Sequence, residues 1–197
     1  MDAEQEHRRA PGRPRSRQVG EAVTTATLKL LQSTSYKNIT MERIAKEAGV
    51  GKPSLYRRWP GVPFIVMETL QLHAEREIRI PDTGRLKTDV FRYMQQTCQA
   101  LAGRTGEFVR CLMAEAQWNS EFAAVFRETF IASRRRHLIG ILERGMRRGE
   151  LPADSNCELL ADLLYGPMWY RLLNGHAPLD EPFVHGLVDQ LFHDSEN

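Results

Sequence analysis

Apolar positions recur at helical spacing along nearly the whole chain, and no stretch alternates with the period of two that a strand needs. Val19, Val23, Ala26 and Leu30 predict an amphipathic helix from about Arg17 to Ser33, and Ser35 to Asn38 reads as a connector. Thr40 is a good N-cap for a second helix that buries Met41, Ile44, Ala45 and Ala48 and stops at Gly49. A third opens at Lys52 or Pro53, and Pro60, Gly61 and Pro63 close it. Further helices are expected from about Pro63 to Arg79, Gly84 to Ala102, Gly106 to Trp118, Ser120 to Arg147, Ser155 to Leu173 and Glu181 to His193. Ser120 is read as the cap of its helix, and Ser155-Asn156-Cys157-Glu158 as a capping box. Gly149 follows the end of one helix, and Gly166-Pro167 is expected to kink another. The fold class is all-α, with about nine helices.

Charge divides the chain. Residues 1–60 hold 12 Lys/Arg against 6 Asp/Glu, a net +6, whereas residues 61–197 hold 15 against 19, a net −4. A polyanionic partner is therefore expected for the N-terminal part alone. With 42% hydrophobic and 26% charged residues the chain reads as globular. Cys98, Cys111 and Cys157 match no zinc or redox spacing and suit a reducing cytoplasm, and no run of apolar residues is long enough for a membrane. Residues 1–15, with Pro11, Gly12 and Pro14 among charges, read as a flexible basic arm.

The second and third helices, joined at Gly49, describe a helix-turn-helix unit within a domain over residues 16–62. On a helical wheel Leu55 and Trp59 face the core, Pro53, Ser54 and Arg57 face outward, and Tyr56 and Arg58 lie on the flanks. Outward residues can meet base edges in a major groove, Arg57 by a bidentate pair to guanine. Flanking donors can grip phosphates, a role that suits Thr40, Lys52, Tyr56 and Arg58. Gly12-Arg13-Pro14-Arg15 is either an element for a narrow minor groove, with Arg13 and Arg15 as contacts, or a solvated tail.

These residues resemble the TetR family of bacterial transcriptional regulators. The likeness rests on Ile39-Thr40-Met41, Ile44-Ala45, Ala48-Gly49-Val50, Lys52, Leu55-Tyr56 and Trp59-Pro60. Arg148-Gly149-Glu150-Leu151, Leu164-Tyr165-Gly166-Pro167 and Tyr170-Arg171-Leu172-Leu173 resemble a large subgroup of that family. The resemblance implies a homodimer on double-stranded operator DNA, with phosphates held by Thr40 and Tyr56, and a domain over 63–197 for effector binding and dimerisation. Two positions depart from the family's usual pattern: Gly51 stands where Ser or Thr is common, and Val62 where Lys is common. Pro63 stands beside the second, at the junction an effector signal would cross.

The last two helices carry more apolar surface than one small domain needs, which predicts a twofold interface between copies. An effector cavity is expected between the middle helices, with Met94, Cys98, Phe108, Cys111, Leu112, Glu115, Trp118, Phe126 and Trp169 as candidate linings. Each of these also serves as ordinary core packing, and Glu115 alone would favour a cationic or hydroxylated ligand. The six histidines form no close ligand pair and no glycine loop cradles a phosphate, so neither enzyme activity nor a metal or other cofactor is expected. The expectation is a cytoplasmic repressor released from a near-palindromic operator by a small molecule. A helical adaptor that docks an acidic protein and an effector-independent DNA-binding activator are the alternatives.

Overall fold

The computed structural model describes residues 13–192, with side chains described from residue 17 onward. Among the described residues there are nine helices and no strand. α1 (Arg13–Ser33) begins inside the segment expected as an arm, so Arg13 and Arg15 stand in its first turn. Their side chains, and residues 1–12 altogether, lie outside the described residues. Val23, Ala26, Leu30 and Leu31 form the buried face of α1, which packs on α2 (Met41–Ala48) and α4 (Val62–Glu77).

Local chemistry sets the ends of α2. The Thr40 hydroxyl accepts the Arg43 N–H at 3.2 Å, so one otherwise unpaired first-turn donor is satisfied. Gly49 adopts φ 65°, in the left-handed region. There its N–H reaches Lys46 O (3.3 Å) and Val50 N–H reaches Ala45 O (3.0 Å), the paired bonds of a Schellman end. α3 (Lys52–Tyr56) is only five residues long. Trp59 precedes a proline, which disfavours helical backbone there, and Arg57 and Arg58 form a turn. The Trp59 N–H still reaches Leu55 O at 2.9 Å, so both side chains face the core as expected.

α5 (Leu86–Leu101) lies among α6 (Arg104–Trp118), α7 (residues 120–147) and α9 (Glu181–Leu191), while α8 (Cys157–Asn174) crosses α5, α6 and α7. The Arg148-Gly149-Glu150 stretch is a structural clasp. Gly149 (φ 80°) turns the chain out of α7, Glu150 accepts the first N–H of α5 from Leu86 at 2.6 Å, and Arg148 donates to Glu150 at 2.6 Å. Arg148 also lies 3.9 Å from the fully buried carboxylate of Asp89, which accepts two hydrogen bonds from Thr83.

Three expectations need correction. Asn119, not Ser120, caps α7 by accepting the Phe122 N–H. Asn156, not Ser155, caps α8, and Glu158 reaches Arg135 at 2.5 Å instead of closing a capping box. Finally, α7 is not uniform: Ser120–Val125 and Ala132–Arg147 flank a π-helical turn, Phe126–Ile131. α8 runs through Gly166 and Pro167 without a break. No helix among the described residues is long and apolar enough to cross a membrane.

Candidate nucleic-acid interface and ligand cleft

α3 presents its polar residues as the helical wheel requires. Lys52, Pro53, Tyr56 and Arg57 are exposed, Ser54 is half-buried, and Leu55 and Trp59 are sealed in the core. Lys52 Nζ meets Glu42 Oε1 at 2.9 Å across the turn, and that contact holds the Glu42 carboxyl below its ordinary pKa. Both partners are exposed, so a phosphate can exchange with Glu42 for the ammonium at little cost. Thr40 uses its oxygen as an acceptor toward Arg43, and its hydroxyl also interacts with the exposed Glu42 carboxylate, a contact that a phosphate can replace. A side chain at Gly51 would meet only Pro53 Cδ at 3.8 Å, so the missing cap is a matter of residue choice and not of space.

Arg58, expected as a phosphate donor, stays exposed on the flank of the segment while its guanidinium makes contacts within the chain. Its guanidinium lies over the Trp59 ring (4.7 Å) and faces Glu68 Oε1 (3.3 Å). It also lies where a Cβ at Gly20 would be, 2.5 Å from Nη1. The Trp59 indole N–H donates to Glu68 Oε2 at 2.7 Å. Glu68 on α4 therefore braces the end of the recognition segment, with glycine on α1 making room. Sequence reading missed both Glu68 and Gly20, since neither belongs to a periodic or charged motif.

The expected ligand residues are dispersed. Met94, Cys98, Phe108, Leu112 and Phe126 are core, and Trp118 is 86% exposed. Cys111 and Glu115 stand with Phe108 around Tyr36, at the seam between α6 and the N-terminal unit. Burial, with Glu115 and Cys111 adding, pushes the Tyr36 hydroxyl well above its usual pKa. Trp169 lines two adjoining clefts. A narrow apolar one of about 40 Å³ is bounded by Leu70, Ile78, Leu101, Val109 and Met168, and a wider one of about 350 Å³ opens between α7 and α8. Arg134 and Tyr165 border both, as does Trp169.

No group of three or more potential metal ligands occurs among the described residues. Burial pushes the Cys98 thiol up to about 12 and also raises Cys111 and Cys157, so none is activated as a thiolate nucleophile.

His137, one turn beyond Arg134, is held below its ordinary pKa by burial, with the Arg134 and Arg136 charges adding and Glu75 opposing. The unfolded chain then binds the proton more readily than the folded one. This contribution to stability is complete above about pH 6.5 and is lost as pH falls through the folded value. Melting temperature should drop between pH 7.5 and 5.5, and His137→Gln should flatten that slope. An unchanged slope would rule His137 out.

A short glycine-ended helix pair with an exposed, donor-rich second helix, set before a larger helical bundle, defines a helix-turn-helix DNA-binding protein. The tetR family of bacterial regulatory proteins matches residues 23–61, and the tetracyclin repressor-like C-terminal domain matches residues 80–191. The HTH-type transcriptional regulator YdeS of Bacillus subtilis is 30% identical over 181 residues, covering 92% of this chain and 91% of that one. The DNA-binding transcriptional repressor TetR of Mycobacteroides abscessus is 28% identical over 183 residues, covering 86% and 90%. The crystal structure of the TetR family transcription regulator SCO0332 superposes with a TM-score of 0.81 at 26% identity, covering 89% of this chain and 96% of that one. The chain belongs to the TetR family and is a DNA-binding transcriptional regulator.

Proposed function

We propose that the protein is a repressor that binds a near-palindromic operator as a homodimer and leaves it when a small molecule enters the helical domain over residues 63–197. In this reading Pro53, Ser54 and Arg57 of the DNA-binding domain (residues 16–62) meet bases. Thr40, Lys52 and Tyr56 hold phosphates, and Arg13 and Arg15 add charge near the duplex. Acting on operator DNA places the protein in the cytoplasm. The observation that carries the reading is the outward array on α3. Support for pairing comes from α8, where Leu159, Leu163, Tyr170 and Leu173 stay 45–62% exposed along one face. Gly166 on that face leaves open space for a closely approaching helix. Support for repression comes from the likeness to the mycobacterial repressor.

Two recognition helices related by a dyad require half-sites about one helical turn apart. Selection of bound duplexes from random DNA by the full chain should return an inverted repeat with that spacing. Sedimentation of the free protein should show a dimer, and a monomer at micromolar concentration would refute the α8 interface. Arg57→Ala should remove about 1–3 kcal/mol of preference at one or two base pairs. Tyr56→Phe should weaken every duplex alike by about 0.5–1.5 kcal/mol. A Tyr56→Phe variant that loses affinity for one sequence only would reverse these assignments. Release by an effector needs a coupling of typically ~1–3 kcal/mol between the two sites.

A further inference from the structure

Arg134 is 6% exposed, and its Nη1 and Nη2 are shut off from solvent without a hydrogen-bond partner among the described residues. A buried guanidinium left in this state is among the most unfavourable groups a core can hold. Among the described residues no carboxylate pairs with it: Glu158 and Asp162 on α8 are both taken by Arg135. The Tyr93 and Tyr165 hydroxyls lie 3.2 Å apart and share the Arg134 backbone carbonyl at 3.4 and 3.0 Å. The Arg134 charge opposes the rise that burial imposes on both phenols, and its side chain also interacts with the Tyr93 hydroxyl, but a neutral phenol does not balance a buried cation. The Phe130 ring, 5.7 Å from the guanidinium carbon, offers partial cation–π relief and no hydrogen bond.

The Arg134 side chain lines both clefts, with its Nη atoms sealed just behind the wall, so an incoming anion reaches them only as the wall moves. We propose that they form one binding site for an amphipathic organic anion, its carboxylate paired with Arg134 and its apolar body directed toward Leu70, Ile78, Leu101, Val109 and Met168. Arginine's forked donors match a carboxylate bidentately. The apolar walls reject a bare inorganic anion, and the fixed charge rejects the cationic ligand that Glu115 suggested from sequence. At about 40 Å³ the inner chamber admits little more than a methylene or two. A longer tail must therefore displace the wall, part of which is Leu70, Ala74 and Ile78 on and just beyond α4.

That displacement gives the ligand a preference between two states, which any effector needs. α4 carries Glu68, the brace on Trp59 and Arg58. A second physical link runs along the π turn. Phe130, Phe126, Phe122 and Phe64 follow one another with ring centroids 5.1, 5.7 and 5.2 Å apart, from beside Arg134 to the first turns of α4. The inference rests on the reading that a small molecule releases the operator, and it supplies the chemistry of that molecule.

The test uses the full chain with octanoate, octanol and octylamine, followed by calorimetric binding and thermal unfolding. Octanoate should bind saturably and raise the melting temperature, and the matched alcohol and amine should do neither. Arg134→Met should weaken octanoate binding roughly ten- to hundredfold. It should also raise the melting temperature of the ligand-free protein by about 2–4 °C, because an unpartnered buried charge is removed. Equal stabilisation by octanol, no octanoate binding, or full octanoate affinity in Arg134→Met would overturn the proposal. So would a lower melting temperature in that variant, which would make the guanidinium a structural group. Octanoate that binds while the operator complex stays intact upholds the site and refutes release.

Discussion

Gly106→Ala should destabilise the protein by about 3 kcal/mol, the upper range for a forced fit in a packed core. Helix propensity alone points the other way, because alanine within a helix is favoured over glycine by about 1 kcal/mol. Here sterics win. A Cβ at position 106 would lie 2.0 Å from the Leu101 carbonyl oxygen and 3.0 Å from Leu172 Cδ1. The first contact is backbone, so no rotamer relieves it, and the turn Leu101–Arg104 between α5 and α6 must open. That turn is already committed, with Ala102 N–H on Cys98 O (2.8 Å) and Gly106 N–H on Gly103 O (3.1 Å). At roughly 2–4 °C per kcal/mol for a chain of this size, the melting temperature should fall by about 6–12 °C. Gly140→Ala is the matched control. It also lies within a helix, but a Cβ there meets nothing within 4 Å. That variant should melt at or above the parent temperature, gaining up to about 1 kcal/mol. If both variants shift the same way, propensity governs position 106 and the clash is absorbed.

Such contrasts mark the boundary of what the sequence shows. Periodicity located every helix, because burial of an apolar stripe sets helix position whatever the neighbours do. Thr40 and Gly49 were legible since each acts within one turn of itself. Choices between adjacent good caps were not, because Ser120 and Asn119, or Ser155 and Asn156, are neighbours with similar capping preference. Arg134-Arg135-Arg136 looks in sequence like a solvated run. The π turn before it inserts a residue, so α7 beyond Ile131 departs by about 100° from a 3.6-residue extrapolation. The three arginines then separate into a buried cation, an ion-paired one and an exposed one. The cleft was illegible for the same reason, since its walls come from α4, α5, α6, α7 and α8 at once. Arg58 was read as a phosphate donor from its flank on the wheel. Its contacts with Glu68 and Gly20 lie 10 residues on and 38 residues back, beyond what the wheel shows.

Glu68 offers the sharpest separation of fold from DNA affinity. Its carboxylate does two jobs: Oε2 accepts the Trp59 indole N–H at 2.7 Å, and Oε1 faces Arg58 at 3.3 Å. The ion pair is about a third exposed on each side, so it contributes no more than about 1 kcal/mol. The indole bond matters more, because Trp59 is 3% exposed and a buried N–H left unpaired costs about 1–3 kcal/mol. Glu68→Ala removes both and should lower stability by about 2 kcal/mol, a drop of roughly 4–8 °C in melting temperature. α3 would then be held by Leu55 with a loosened Trp59, so the operator-specific affinity should fall as well. Glu68→Gln keeps a carbonyl oxygen for the indole and loses only the charge. It should melt near the parent, and loss of the ion pair should weaken the hold on Arg58 at the Trp59 face in favour of a phosphate. Nonspecific DNA affinity should rise, and the slope of log K against log salt should steepen by about 0.9 for the one added contact. Glu68→Ala thus loses stability and operator preference, whereas Glu68→Gln keeps its stability and gains affinity for random duplex DNA. Equal melting temperatures for Ala and Gln would show that the indole bond is not what anchors the recognition segment. An unchanged salt slope in Gln would show that Arg58 stays on Trp59 without Glu68 to hold it.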